Sequence, residues 1–407
     1  MRCLTIHNYY QKRGGEDVVF EAETAMLKLA GHTVESFTLH NDDLAAKSAL
    51  GTLPLTLWNG QAHRALHDQI ARFRPHVIHF HNTFPLMSPS VLFAARHARA
   101  AVVMTLHNFR LLCPSANLFR DGAICTDCLP RTIKWPAVLH KCYRNSRSAS
   151  GAAAGLSAFQ QLIGGLNAVD RFITLSRSAQ NQFLAGGFPA DRLVVKPNSI
   201  PPPPEPLVRE PREKLALYVG RLVPEKGVRT LLEAWRRPEA PQVPLAIVGD
   251  GPLAPSAGSS DGRIAWLGRR DPAEVHALMR RASLLIFPSE WYEPFGLTII
   301  EAFANSLPVL AARIGAAGEL IEAGVTGATF EPGSAAGLAR AACKLFDAPD
   351  TLAAMGRHAQ DTYRREFAPD RNLERLTAIY RDAMHDARKY PSTISSWVSA
   401  QTDMGAG

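Results

Sequence analysis

The sequence predicts an α/β protein with two Rossmann-like, doubly wound parallel-sheet domains that face a cleft. Apolar strand patterns alternate with amphipathic helix patterns through the first half of the chain, and such alternation is typical of parallel sheets. A run of prolines at 201–204 interrupts it, because proline fits neither a helix interior nor a central strand. The same alternation then starts again, and 407 residues are enough for two domains.

The expected elements follow the hydrophobic periodicity along the chain. In the first half, strands are predicted at 2–6, 33–38, 76–80, 101–106, 171–175 and 193–196, with helices at 16–30, 42–50, 61–73, 90–97 and from 178. In the second half, strands are predicted at 215–219, 245–248, 264–267, 284–287 and 309–311, with helices from 227, 272 and 297. The first domain is expected to span 1–198, the proline-rich linker 199–210 and the second domain 211–371, followed by a terminal helix at about 372–389.

The composition is that of a soluble globular protein, with 46% hydrophobic and 20% charged residues. No apolar run approaches the roughly 18 residues that span a bilayer. The apolar stretch at the N-terminus is too short for a signal peptide and is predicted to be a strand. We therefore expect a cytoplasmic protein, either free or peripheral on the inner face of the membrane.

The net charge of +8 is unevenly distributed, since no Asp or Glu occurs between Asp127 and Asp170. Residues 131–147 carry five cations: Arg131, Lys134, Lys141, Arg144 and Arg147. This stretch predicts a surface for anionic lipid or for a pyrophosphate-linked acceptor, and nucleic acid is the other polyanion that would suit it. A solvated basic face accounts for it equally well.

The most informative segment is 289–301, which follows an apolar strand pattern and Pro288. Gly296 stands where an amphipathic helix is predicted to begin, so backbone N–H groups at the helix start are available to a phosphate. Glu293 precedes this helix and Glu301 lies on its second turn. Two carboxylates beside a phosphate site predict a ligand with hydroxyls at both ends and phosphates between them, as in a nucleotide sugar.

Glu293-Pro294-Phe295-Gly296 followed by Glu301 resembles the E-x7-E signature of retaining glycosyltransferases with two Rossmann domains, the GT-B type. The sequence of residues 288–293 is most similar to glycosyltransferase family 4. The resemblance implies a GT-B fold, a nucleotide-sugar donor and a terminal helix that crosses back to the first domain.

The resemblance also implies how the donor is bound. Glu301 is expected to bind the ribose hydroxyls, and Glu293 the hydroxyls of the transferred sugar. Main-chain atoms near Leu267 are expected to hold the base. The phosphates are expected to meet the backbone amides of Phe295, Gly296, Leu297 and Thr298.

Residues 220–227 follow the first predicted strand of the second domain and place an arginine and a lysine before a helix. They resemble the family's G-R-x4-K-G motif. The resemblance implies that Arg221 and Lys226 bind the diphosphate, on which negative charge grows as the glycosidic bond breaks. Without the resemblance, both residues would be interpreted as surface cations.

In the first domain, Gly14 and Gly15 lie between the first strand and its helix. The family has such a loop beside the diphosphate and the acceptor, although a plain turn is an equal alternative. His107 follows the strand 101–106, where the family often carries a histidine that faces the donor sugar and the acceptor. His79 and His81, at the end of a neighbouring strand, are lesser candidates, because a single histidine is usually structural.

Four of the six cysteines cluster as C-x11-C-x2-C-x13-C: Cys113, Cys125, Cys128 and Cys142. This spacing suits a tetrahedral structural Zn²⁺, and a cytosolic chain rarely keeps disulfides. Four free thiols, or a redox-active Cys-x2-Cys, remain as alternatives. Many family members lack these cysteines, so the segment at about 110–147 is interpreted as an insertion beside the acceptor side of the cleft.

These observations predict a retaining glycosyltransferase that moves a sugar from a UDP-, GDP- or ADP-sugar to a hydroxyl of a glycan or lipid-linked acceptor, in polysaccharide or cell-envelope biosynthesis. No catalytic metal is expected, because the sequence lacks an Asp-x-Asp arrangement. One alternative is a nucleotide-sugar epimerase of similar fold. The other is a zinc-stapled nucleic-acid-binding protein, whereas the preferred hypothesis includes no nucleic-acid partner. The predicted catalytic set is His107, Glu293, Arg221 and Lys226.

Overall fold

A computed structural model describes residues 1–11, 13–44, 55–96, 98–204, 211–255 and 262–389. It contains two separate six-stranded sheets, and all of their strand pairs are parallel. The predicted fold class is therefore confirmed. The predicted helix 42–50 falls mostly outside the described residues, as does the part of the linker at 205–210.

The first sheet has the strand order β2-β1-β3-β4-β7-β8. Its strands are β1 (Arg2–Tyr9), β2 (Thr33–His40), β3 (Val77–Asn82), β4 (Ala101–Leu106), β7 (Arg171–Thr174) and β8 (Leu193–Val195). The helices of this half are α1 (Gly15–Leu29), α2 (Gly60–Phe73), α3 (Ser90–Arg96), α4 (Trp135–Leu139), α5 (Arg147–Leu162) and α6 (Arg177–Ala185). Strands β5 (Phe119–Arg120) and β6 (Ala123–Ile124) form a small antiparallel hairpin. Every residue of β3 and β4 is buried, as expected for a parallel sheet covered on both faces.

The second sheet has the order β11-β10-β9-β12-β13-β14. Its strands are β9 (Ala216–Val219), β10 (Leu245–Val248), β11 (Ile264–Gly268), β12 (Leu284–Phe287), β13 (Val309–Ala312) and β14 (Gly327–Phe330). The helices are α7 (Val228–Arg236), α8 (Pro272–Arg281), α9 (Leu297–Ala304), α10 (Gly315–Leu320), α11 (Ala335–Phe346), α12 (Pro349–Thr362) and α13 (Pro369–Lys389). Helix α13 begins at Pro369, earlier than predicted, because proline is well suited to the first turn of a helix.

In each sheet the strand order reverses at one point, between β1 and β3 in the first sheet and between β9 and β12 in the second. Ligands of open α/β sheets bind at such points, beyond the carboxyl ends of the strands. The loops that leave β1, β9 and β12 are the three segments in which the sequence predicts phosphate-binding groups. The topology therefore places each of these segments at the edge of its sheet where a ligand would bind.

A buried ion pair joins the connection between the two sheets to the first sheet. Lys196, directly after β8, is fully buried, and its Nζ lies 2.6 Å from Oε1 of Glu23 on α1. The same ammonium donates to Oδ1 of Asn372 on α13, and Asn372 Nδ2 donates to the carbonyl of Pro197. A lysine with no exposure to water requires such a counter-ion.

Helix α13 packs against the first sheet, although it follows the second sheet in the chain. Leu376, Tyr380 and Ala383 are buried with Cys3 and Val77 in one apolar cluster. The crossing implied by the resemblance is thus present, while the residue limits of the domains stay predictions. No helix among the described residues combines the length and the apolar composition that crossing a bilayer requires.

Candidate functional site

The loop at 288–296, here called the donor loop, connects β12 to α9. Gly296 occupies the N-cap position of α9 and has no side chain to bond the first amides of the helix. Those amides have no partner within a helix. A Cβ added to Gly15 would lie 2.9 Å from Cδ1 of Leu297. The loop at 14–15 of the first domain therefore lies directly against the start of α9, on the opposite side of the cleft.

Glu293 and Lys226 lie together in the cleft. Glu293 is 7% exposed, and its Oε1 accepts hydrogen bonds from Lys226 Nζ and Ser289 Oγ, each at 2.6 Å. The same ammonium lies 5.7 Å from the ring centre of Phe287 and 5.8 Å from that of Trp291. Contacts with a carboxylate and two aromatic rings fix the position of a lysine side chain that would otherwise be mobile.

The segment 220–227, here called the lysine loop, is bound to the donor loop through the backbone. Gly227 has φ +67°, and a Cβ there would lie 1.9 Å from the Pro288 carbonyl oxygen, so only glycine fits. Glu290 N donates to the Glu225 carbonyl at 2.9 Å. A 3-10 turn at Pro224–Lys226 precedes this glycine, so α7 begins at Val228 rather than at the predicted 227.

Arg221 is exposed on the same loop and does not contact Glu293. Its Nη2 lies 3.7 Å from Oε1 of Glu225, in a pair whose arginine side chain is 64% exposed. Such a pair contributes little to stability. The guanidinium is therefore available to an anion at the mouth of the cleft.

Glu301 lies half-buried on the second turn of α9. Among the described residues its carboxylate has neither a hydrogen bond nor an ion pair, and burial raises its pKa to about 7. A partly buried carboxylate without a donor is the group that a ligand's hydroxyls would satisfy. Leu267, near the end of β11, is half-buried against the core cluster that contains Phe295 and Ile299.

His107, at the end of β4, is hydrogen-bonded to another histidine, with 3.1 Å between its Nε2 and His81 Nδ1. Burial, with smaller contributions from the neighbouring His7 and Lys196, lowers the pKa of His107 to about 3. The imidazole is therefore neutral at physiological pH. It is suited to exchange hydrogen bonds with a hydroxyl, not to act as a cation.

Glu16 is a cleft residue that the sequence analysis did not select. Its Oε1 accepts from Asn108 Nδ2 at 2.5 Å, while its Oε2 is buried without a partner among the described residues. Burial raises the pKa of this carboxyl above its usual value. Its position directly after Gly15, and that of Asn108 directly after His107, were the available signals.

Three contacts bring the two domains together at this site. Ser176 Oγ donates to the carbonyl of Pro294 at 2.9 Å. Glu319 on α10 accepts from the backbone N–H of Arg177 at 3.0 Å and from that of Ser178. Tyr292 of the donor loop packs against the apolar core of the first domain. The structure thus shows the cleft with its walls in contact.

The four cysteines lie in one small unit of the first domain, on either side of the β5–β6 hairpin. All four are free thiols, and Cys113 is close enough to the other three to raise the pKa of each, although burial contributes more. A zinc site with bonds of 2.3 Å needs sulfurs about 3.8 Å apart. Of the described residues, those that bring three ligand atoms within 4.8 Å are Glu23, His79 and His81, not the cysteines.

The cluster of Glu23, His79 and His81 is better explained as a structural network. Both nitrogens of His79 are already hydrogen-bonded, to Tyr380 and Thr105 at 2.8 Å each. Lys196 supplies the positive charge beside Glu23. Because a metal ion would have to displace these partners, the geometry favours hydrogen bonding over metal binding.

Comparison with known proteins identifies the family. Residues 204–362 match the family model of the glycosyl transferases group 1, and residues 13–202 match that of glycosyltransferase family 4. The chain belongs to this group 1/family 4 class of GT-B proteins.

Individual relatives agree with this assignment. A glycogen synthase of Mycobacterium tuberculosis is 36% identical over 169 residues, which are 39% of this chain and 41% of that protein. A D-inositol 3-phosphate glycosyltransferase of Gordonia bronchialis is 29% identical over 289 residues, 62% of each chain. The matched parts are thus less than two thirds of either relative.

A solved structure agrees in fold. The structure of Alr3699/HepE from Anabaena, in complex with UDP and glucose, superposes with a TM-score of 0.64 at 20% identity. The superposition covers 94% of this chain and all of that one. At this level of identity the likeness concerns the fold alone.

The raised pKa of Glu301 makes stability depend on pH. Folding favours the protonated carboxyl, so the stabilising contribution of Glu301 to the free energy of unfolding is complete below about pH 4.5 and is lost as the pH rises through about 7. This loss of stability is at most about 3 kcal/mol, and Glu301→Gln removes it because the amide does not titrate. We expect the variant to unfold at a temperature higher by a few degrees than the wild type at pH 8.5, and at nearly the same temperature at pH 4.5.

Thermal unfolding at the two pH values measures this effect. Asp382→Asn, at an exposed position of α13, is the matched control and should show no such dependence on pH. A Glu301→Gln variant that gains equally at both pH values would show that the carboxyl titrates normally.

Proposed function

We propose that the protein is a retaining glycosyltransferase that transfers a sugar from a nucleotide diphosphate to a hydroxyl of a glycan or lipid-linked acceptor. The observation that carries this proposal is the pair Lys226–Glu293 beside the uncapped start of α9. It combines a carboxylate for sugar hydroxyls, a cation for phosphate and free amides in one place. The names of the relatives, a glycogen synthase and an inositol-phosphate glycosyltransferase, support the same class of reaction.

In this proposal the donor lies across the start of α9. The ribose hydroxyls donate to the unpaired carboxylate of Glu301, and the base lies along the main chain near Leu267. The amides at 295–298 and the exposed guanidinium of Arg221 bind the diphosphate. The HepE structure holds UDP and glucose within a similar fold, which supports a nucleotide-sugar donor for this chain.

The proposed reaction keeps the configuration of the sugar. The bond from the sugar C1 to the phosphate oxygen breaks, and its electron pair leaves with the diphosphate. The acceptor oxygen bonds to C1 from the same face, and its proton passes to the departing phosphate oxygen. Lys226, Arg221 and the start of α9 stabilise the charge that develops on the diphosphate, while neutral His107 offers a hydrogen bond to the sugar or the acceptor. Because the cations belong to the protein, activity should persist in EDTA.

The donor is identified by a thermal-shift screen against UDP-, GDP- and ADP-sugars. A true sugar donor should raise the unfolding temperature of the wild type. Glu301→Ala should abolish most of this shift, because the ribose hydroxyls lose the carboxylate that accepts their hydrogen bonds. Asp382→Ala, at an exposed site of α13, should retain it. An equal shift in Glu301→Ala would refute the assigned position of the ribose, and no shift with any sugar would count against the proposed function.

We further propose that Cys113, Cys125, Cys128 and Cys142 hold a structural Zn²⁺, whose binding would draw the four sulfurs of this unit together. The donor set has the right chemistry for zinc. Elemental analysis of native protein should find about one zinc per chain, and Cys125→Ser should lower that content, whereas Cys343→Ser, outside the unit, should not. Native protein without zinc would refute this proposal.

The surface at 131–147 is proposed to contact an anionic membrane from the cytoplasmic side. Ile133, Trp135 and Leu139 are 66%, 51% and 54% exposed, and Arg131 lies 5.2 Å from the Trp135 ring centre. Exposed apolar side chains beside cations are typical of a membrane interface. Lys134 corrects part of the sequence prediction, because it is buried and donates to the Cys128 carbonyl.

Sedimentation with vesicles tests this contact. The wild type should bind vesicles that contain phosphatidylglycerol, and Trp135→Ala should weaken the binding several-fold. Trp58→Ala alters another exposed tryptophan of the first domain and should have no effect. Equal binding to neutral vesicles, or equal loss with Trp58→Ala, would contradict the proposal.

A further inference from the structure

A small cavity lies beside His107, beyond the carboxyl ends of β3 and β4. Its volume is about 80 Å³, and α5 forms its far wall. Since one water needs roughly 10–15 Å³ of such space, the cavity has room for about five to eight non-hydrogen atoms. That is enough for one substituent of a ligand, such as a phosphate or a carboxylate.

Arg110 gives the cavity its charge. Of the described residues that line it, Arg110 is the one with a permanent charge, and no Asp, Glu or Lys is among them. The two lining histidines, His81 and His107, are neutral because burial lowers the pKa of each. The other polar groups are neutral side chains such as Asn82, Thr83 and Ser157. The cavity is therefore positive overall.

The position of the guanidinium is fixed from three sides. Its central carbon lies 4.3 Å from the ring centre of Phe84 and 5.6 Å from that of Tyr143. Its Nη1 donates to the Pro114 carbonyl at 3.2 Å. Two of these contacts come from the cysteine-rich unit, next to Cys113 and Cys142. An arginine held in this way loses little further entropy when it binds a planar or tetrahedral anion.

This fixed cation has no ion-pair partner among the described residues. Arg110 Nε is buried without a hydrogen-bond partner, and the guanidinium forms no ion pair with any described residue. Glu16 is near enough for the charge of Arg110 to lower its pKa, but burial raises that pKa by more and no ion pair forms between the two side chains, so Glu16 compensates the guanidinium only in part. Leaving a buried charged donor unsatisfied costs free energy that a bound anion would recover.

We propose that this cavity binds a small oxyanion substituent of the acceptor, a phosphate or a carboxylate, with Arg110 as its counter-ion. The assignment of the anion to the acceptor rests on the proposed function, whereas the anion site itself does not. Because His107 lines the same cavity, an anion at Arg110 places the neighbouring atoms of the acceptor beside this neutral imidazole. The acceptor is thus recognised by an anionic group close to the hydroxyl that receives the sugar.

Calorimetric titration with inorganic phosphate and with acetate, at constant ionic strength, tests the site. The reference protein and every variant compared with it carry Arg221→Gln, so that phosphate binding in the second domain does not obscure the result. In this background, Arg110→Gln should weaken binding of the preferred anion by about tenfold or more, because a charge-assisted hydrogen bond is lost. Arg110→Lys should keep part of the affinity, since it retains the charge without the planar fork.

Arg147→Gln is the matched control, because Arg147 is an exposed cation of the same domain, on the first turn of α5. It should leave the affinity unchanged. The two probes distinguish a phosphate site from a carboxylate site. Binding that survives Arg110→Gln, an equal loss with Arg147→Gln, or no binding of either anion would overturn the proposal.

The donor screen separates this inference from the proposed function. If the wild type binds a sugar donor but its affinity for the anion is unchanged by Arg110→Gln, the anion site is overturned and the proposed function is not. Anion binding that depends on Arg110, in a protein that no nucleotide sugar stabilises, would support the anion site and overturn its assignment to a glycosyl acceptor.

Discussion

The buried pair of Lys196 and Glu23 is the interaction on which the arrangement of the two halves depends. It joins the end of β8, where the chain leaves the first sheet, to α1, and through Asn372 it includes the helix that returns from the second sheet. Removing one partner of a buried pair typically costs about 3–5 kcal/mol, because the other charge remains unpaired. The pair lies at the point where the chain passes from the first sheet to the second.

The cleft itself shows how charges of opposite sign are kept ready for a ligand. Glu293 and Lys226 neutralise each other in the structure, while Arg221 and Glu301 have no strong partners among the described residues. Groups that are already paired keep their positions in the absence of a ligand. Groups without strong partners gain the most when a ligand arrives, because the ligand then supplies the hydrogen bonds that they lack. The paired residues, Glu293 and Lys226, therefore shape the site, whereas Arg221 and Glu301 add affinity for a ligand.

The sheets could be predicted from sequence because several central strands, such as β4, β10 and β12, are fully buried and appear as largely apolar runs. Strand β14 was not predicted, since Gly327–Phe330 is half-buried and has a weak pattern. The contact of Glu16 with Asn108 joins residues 92 apart, so periodicity carries no information on it. Lys134 was interpreted as a surface cation, but its burial depends on a carbonyl presented by a neighbouring turn. Motifs near a strand end could be found, whereas partners between distant loops could not.

Helix α6 belongs to the first domain, yet part of its N-terminal cap comes from the second. Ser176 bonds the amide of Ala179 in the usual manner, while the carboxylate of Glu319 bonds the amides of Arg177 and Ser178. Acidic groups at this end also interact favourably with the helix dipole. When the domains separate, α6 loses the two bonds to Glu319, and its first turn becomes easier to unwind. The rate of amide hydrogen exchange in that turn therefore reports how often the cleft opens.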